Sequence, residues 1–153
     1  MYQTLGLVHY YGRRFPEAVT ALRRAIDLAP QLPLARAVLA KTLFKQAAYA
    51  DALAAADNVP APQPPDVLVV KGLSYLRQGD QARAAAILRD LESRTPLPAV
   101  ALAQYASTGD VARGIMMLER DSSGGFGPAA EVDPMFDGLR SDTRFASLAR
   151  GGS

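Results

Sequence analysis

The chain repeats itself, and the spacing of that repetition constrains its fold more than any single motif does. The pattern is clearest from Asp66 to Pro96. There Leu68, Gly72 and Tyr75 share one helical face, Gly79-Asp80 interrupts it, and Ala84, Leu88 and Leu91 continue a second apolar face as far as Pro96. A helix, a turn and a second helix make one unit. Gly6, His9, Ala18, Leu22 and Pro30 serve as its landmarks; one period on stand Ala40, Leu43, Ala52, Ala56 and Pro64, and a slightly shorter step leads to Gly72, Tyr75, Ala84, Leu88 and Pro96. A third step, shorter again, brings Leu102, Tyr105, Gly114 and Leu118, with Gly109-Asp110 where Gly79-Asp80 stood. Small residues recurring in both helices predict hairpins that cross closely, with larger apolar groups filling the gaps around them. Ala52 and Ala84 are accordingly expected to be almost wholly buried.

Composition agrees with helices packed through small side chains. Hydrophobic residues make up 49% of the 153 positions, aromatics only 7%, and Trp is absent, which favours an all-α fold over a sandwich or barrel. Without Cys there is no disulfide, no thiolate zinc site and no thiol nucleophile, and a single His excludes a two-His metal site. The first residues open into an amphipathic pattern rather than a leader, and no apolar run reaches membrane-spanning length, so the expectation is a soluble cytoplasmic chain. A net charge of +2 argues only weakly for nucleic acid.

The repeats span roughly 1–32, 33–64, 65–96 and 97–121, followed by a loop and tail at 122–153. The Pro-rich joint from Val59 to Pro65 is expected to end the second hairpin's second helix early, and the first helix of the fourth hairpin is expected to be short. Asp66, Asp80, Thr95 and Asp110 are placed as helix N-caps, with Pro16 and Pro96 in first turns. Val67-Leu-Val-Val70 has strand propensity, but its register makes it helical. The segment from Asp121 to Pro128 reads as a loop.

These landmarks resemble the tetratricopeptide repeat, whose period is ~34 residues and whose positions run Trp-x2-Leu-Gly-x2-Tyr, then Ala-x3-Phe, then Pro. Tyr2, Leu5, Gly6 and His9 stand at the first four, and Ala18, Leu22, Ala25 and Pro30 complete the unit. The tail from Asp133 to Arg150 is similar to a segment of the form DPxFDxLRxDPRFxxLxR that closes many bacterial arrays of this kind, with Thr143 in place of Pro. The resemblance implies an α-solenoid of antiparallel hairpins with a short C-terminal capping helix. In such proteins the array often follows a winged-helix domain, an adenylate cyclase or a serine/threonine kinase; none is visible in these residues, although the array opens almost directly within a helix.

Candidate chemistry is sparse. His9 sits where Tyr75 and Tyr105 recur and is read as a packed core residue. Ser122–Gly127 lacks the pattern of a phosphate loop, and Glu131, Asp133, Asp137 and Asp142 miss the spacing of a calcium loop. Arg13-Arg14 and Arg23-Arg24 form a basic patch without aromatic platforms. No catalytic, cofactor-binding or metal residue is assigned.

One surface remains. If Tyr2, Leu5, Gly6 and His9 face into the hairpin, the opposite side of the first helices carries Leu7, Tyr10, Tyr11, Val38, Lys41, Phe44, Lys45, Val70, Leu73 and Arg77, the side that lines the concave groove in the arrays this sequence resembles. Two accounts fit so apolar a face: burial between neighbouring first helices, or a groove for an apolar segment with Lys41, Lys45 and Arg77 beside it. The groove account expects Val70 and Leu73 at the surface. A clamp for a peptide's terminal carboxylate does not fit, because Leu7 and Val38 stand where that pattern has Asn, and Gln3 and Asp66 where it has Lys. The expected function is a non-enzymatic module binding a protein or peptide, without nucleic acid, membrane or cofactor; the alternative is the regulatory part of a larger bacterial signalling protein. Phe136, Leu139, Phe145 and Leu148 are expected to cap the array, with Arg140, Arg144 and Arg150 at the surface; the competing reading is that the tail folds into the concave groove and occupies the peptide site.

Overall fold

The computed structural model describes residues 1–120 and 132–150. The Gly-rich loop and Glu131 lie outside them. The described residues form helices joined by short turns: α1 (Tyr2–Tyr11), α2 (Phe15–Leu28), α3 (Pro33–Lys45), α4 (Tyr49–Asp57), α5 (Pro65–Arg77), α6 (Gln81–Ser93), α7 (Ala99–Ala106) and α8 (Val111–Arg120). A 3-10 helix (Pro134–Leu139) and α9 (Arg144–Ala149) follow. No strand occurs among them, and Val67–Val70 is helical. Two compact units divide the chain, residues 1–87 and 88–153.

In the first unit α1 packs on α2 and α3 on α4, while α2 also meets α3, α4 meets α5, and α3 lies against both α1 and α5. Small residues permit the crossings. A Cβ on Gly6 would stand 2.5 Å from Leu22 Cγ, and Ala18, Ala52, Ala56 and Ala84 are all buried, as the repeat register requires. α4 stops at Asp57, ahead of the Pro-rich joint, whose Gln63 Nε2 donates to the carbonyls of Ala56 (2.9 Å) and Val59 (3.0 Å).

The backbone repeats along with the side chains. Arg13, Ala47 and Gly79, which stand in step with the same landmarks, all have positive φ (58°, 60° and 83°). At each, the next amide reaches back along the chain, Arg14 to the His9 carbonyl, Ala48 to Leu43 and Asp80 to Tyr75, at 2.8 to 2.9 Å. This satisfies the orphan carbonyls at the end of a first helix and aims the chain into the second. The fourth turn closes differently, through Gly109 and Asp110 amides that both reach Ala106.

Capping partly departs from expectation. Asp80 and Asp110 accept from the amides of Arg83 and Arg113 at 3.0 Å, as N-caps do. Asp66 lies inside α5, because Pro65 is already in its first turn, and α7 begins only at Ala99, leaving Thr95 and Pro96 outside it.

The second unit has its own core. Ala103, Ile115 and Leu118 cluster with Phe136, Leu139 and Phe145, and Leu148 packs at the edge, so the tail covers α7 and α8 as a cap. Ser107 joins the two: its hydroxyl, 2.6 Å from the Gln104 carbonyl oxygen, is also within donating reach of Met135 at 3.1 Å. Gly138 lies against the Ser107 carbonyl so closely that a Cβ there would collide with it. Arg144 and Arg150 are exposed, but Arg140 is half-buried. Its guanidinium lies over the Phe145 ring at 5.3 Å and donates to the Asp133 carbonyl at 2.7 Å, which draws its stem onto the cap.

Candidate interaction surface

The expected groove lies in the first unit, on the flank formed by α1, α3 and α5. Both α3 and α5 are apolar around most of their circumference, with Ala35, Leu39 and Leu43 buried on one side of α3 and Ala37, Val38 and Phe44 on the other. Such a helix is covered on several sides. Tyr10, Val38, Phe44, Val70 and Leu73 are buried, Leu73 with only 1% of its surface exposed. The expectation that these five face a ligand is therefore corrected: the side-by-side packing of α1, α3 and α5 takes up this flank, and they form its packed floor. Leu7, Tyr11, Lys41 and Lys45 remain half-buried, and Arg77 is exposed.

The accessible residues share a polar and aromatic rim. Lys41 Nζ pairs with Asp66 Oδ2 at 3.0 Å and ties α3 to α5. Tyr11 meets the buried Tyr10 ring edge-on at 5.2 Å, and Phe44 lies 5.6 Å from Tyr49. A second pair not foreseen from sequence, Lys71 with Asp57 at 2.8 Å, ties α5 to α4, and Lys71 also reaches Gln63 Oε1 at 3.4 Å. Lysines on neighbouring hairpins were visible in the sequence, but their carboxylate partners lie in other helices and carry no local signature.

His9 is not packed inside its hairpin as expected. It is half-buried, with Nδ1 shielded and unpartnered, and it borders a cavity of about 660 Å³ between α1 and α2 that Tyr2, Leu5, Pro16, Glu17, Thr20, Ala21 and Arg24 also line. Arg13, Arg14, Arg23 and Arg24 are exposed.

In the tail, the carboxylates serve local structure. Asp133 Oδ1 accepts from the Met135 amide at 2.9 Å, Asp137 pairs with Arg140 at 2.9 Å, and Asp142 binds Arg144 through both oxygens, at 3.1 and 3.0 Å. Hydrogen bonds from Arg144 hold the Asp142 carboxyl below the usual carboxylate range, and the same contact holds the Arg144 guanidinium above its ordinary value. Burial raises the Tyr105 phenol. Among the described residues no group of three or more His, Asp or Glu is placed to hold a metal ion, and no helix is long and apolar enough to cross a membrane.

The described architecture is an all-α fold of repeated antiparallel hairpins. The family model of the tetratricopeptide repeat matches residues 66–96, the α5–α6 hairpin with its flanking residues, and supports the resemblance drawn from the landmarks. No curated protein matches the chain.

Proposed function

We propose that this chain is a non-enzymatic protein–protein interaction module that holds a peptide or partner protein along the α1, α3 and α5 flank. The observation that carries this reading is the match of residues 66–96 to a repeat whose fold serves binding, in a chain with matching turns at Arg13, Ala47 and Gly79. The contact residues are Leu7, Tyr11, Lys41, Lys45 and Arg77, seated over a floor of Tyr10, Val38, Phe44, Val70 and Leu73. A peptide combining apolar side chains with carboxylates suits that mixture.

The module operates in the cytoplasm, as an array over 1–121 closed by the tail, within a bacterial signalling context. The likeness of the tail to the DPxFDxLR segment that closes bacterial arrays supports that context, and Phe136 and Leu139 of the motif cap α7 and α8. Selection of the immobilised chain against a random peptide library tests the binding reading. Tyr11→Glu, Lys45→Glu and Arg77→Glu should each weaken the selected peptides while Arg23→Glu, on α2, does not. Peptides indifferent to all three changes would remove this flank as the site.

A further inference from the structure

We propose that the outer face of the first hairpin is a self-association surface, receiving the same face of a second copy of this chain with the two α2 helices antiparallel. The internal repeat shows that this face is built to be covered. On α1, Leu5 and Val8 are 43% and 54% exposed, whereas their counterparts one period on, Leu39 and Thr42, are 9% and 0% exposed. In the second hairpin a helix supplies the cover: α2 packs on α3, and its Ile26 shares with Leu39 and Ala55 a residual cavity of about 240 Å³. Leu5 and Ala21, the counterparts of Leu39 and Ala55, border instead the open cavity of about 660 Å³ beside His9. Leu28, also exposed, extends the apolar strip along α2.

Charge selects the occupant. Glu17 and Arg24 stand on the cavity side of α2, two helical turns and about 10.5 Å apart, too far to pair with each other. Neither has an ionic partner among the described residues. Their midpoint falls between Thr20 and Ala21, both on the same face. An antiparallel second α2 crossing there sets each Glu17 opposite the other copy's Arg24, twice, which is the self-complementarity a two-fold interface demands. The same operation brings together the exposed α1 stripes. Helices of about 15 and 21 Å lying side by side offer an area well short of the ~800 Å² per partner of a standard interface, so the dimer is weak, with dissociation in the micromolar range or above.

Sedimentation equilibrium of the full chain across that range, at low salt, tests this. The expected result is a monomer–dimer equilibrium that Glu17→Arg or Arg24→Glu each weakens roughly tenfold or more and the doubly reversed chain recovers. Val8→Asp, at an exposed position, should weaken it without altering helicity, which keeps the test informative if a charge reversal disturbs α2. A monomer at every concentration, whatever other helix the face then accepts, would overturn the proposal. So would a dimer indifferent to Val8→Asp and to both reversals, or single reversals whose combination fails to recover.

Discussion

Gly114 stands where the first three hairpins have Ala18, Ala52 and Ala84, and the structure gives the reason. A Cβ there would lie 2.8 Å from Leu139 Cδ2 and 3.3 Å from the Ala103 carbonyl oxygen, so the capping leucine occupies the space that alanine fills elsewhere. Gly114→Ala therefore sets two effects against each other. Alanine gains about 1 kcal/mol of helix propensity, while overpacking Leu139 against a fixed carbonyl costs about 1 to 3 kcal/mol, for a net change between nothing and about 2 kcal/mol of destabilisation. Removing the obstacle reverses the sign. Leu139→Ala alone should cost about 2 to 5 kcal/mol, but in that background Gly114→Ala should stabilise by about 1 kcal/mol. The coupling, roughly 1 to 3 kcal/mol, is read from urea unfolding of the four variants, followed through the methyl resonances of Ile115 in the same cluster. If Gly114→Ala destabilises equally with and without the Leu139 side chain, the leucine is not what excludes alanine.

Other expectations follow from burial and charge. Ala84→Leu should cost about 1 to 3 kcal/mol by overpacking a fully buried crossing, whereas Ala55→Leu, which borders the residual cavity beside Ile26, should shift thermal unfolding far less; equal shifts would contradict the register. Leu73→Asp should lower stability by about 3 kcal/mol or more, because it buries a carboxylate, and an unchanged denaturant midpoint would show Leu73 to be surface after all. The Asp142 carboxyl should titrate below the ordinary aspartate range by NMR, and Arg144→Gln should raise its midpoint. Because the folded value is the depressed one, its contribution is present above the unfolded pKa and lost as pH falls through the folded value; a midpoint insensitive to Arg144 would refute the contact.

Hairpin positions were legible because small residues recur where helices touch, a requirement of close packing that leaves a fixed spacing in the chain. The tail cap was legible for a related reason: Ile115 and Leu118 present an apolar stripe, and Phe136, Leu139 and Phe145 are side chains of a size to cover it. The accessibility of the α1, α3 and α5 flank was not. An apolar residue covered by a neighbouring helix and one waiting for a ligand have the same hydropathy, and only tertiary packing separates Leu73 from a groove residue. His9 eluded the register because its spacing specifies a direction, not what lies opposite. Leu43, its counterpart one repeat on, is buried, while His9 borders a cavity. The helix start misplaced at Thr95, with Pro96 in its first turn, reflects a local ambiguity, since Pro98 offers a second start shortly afterwards.

The dependence of α8 on the tail also has a consequence in time. During synthesis α8 is completed before any part of its cover exists, and at ~5 to 20 residues per second the chain from Arg120 to Phe145 takes about 1 to 5 s to add. Helix formation takes about a microsecond or less, so α7 and α8 are formed long before the core they share with Phe136, Leu139 and Phe145 can close. The last hairpin thus matures seconds after its own synthesis, once the tail has been added, whereas α1 to α4 have every side chain of their own crossings in hand as soon as they emerge.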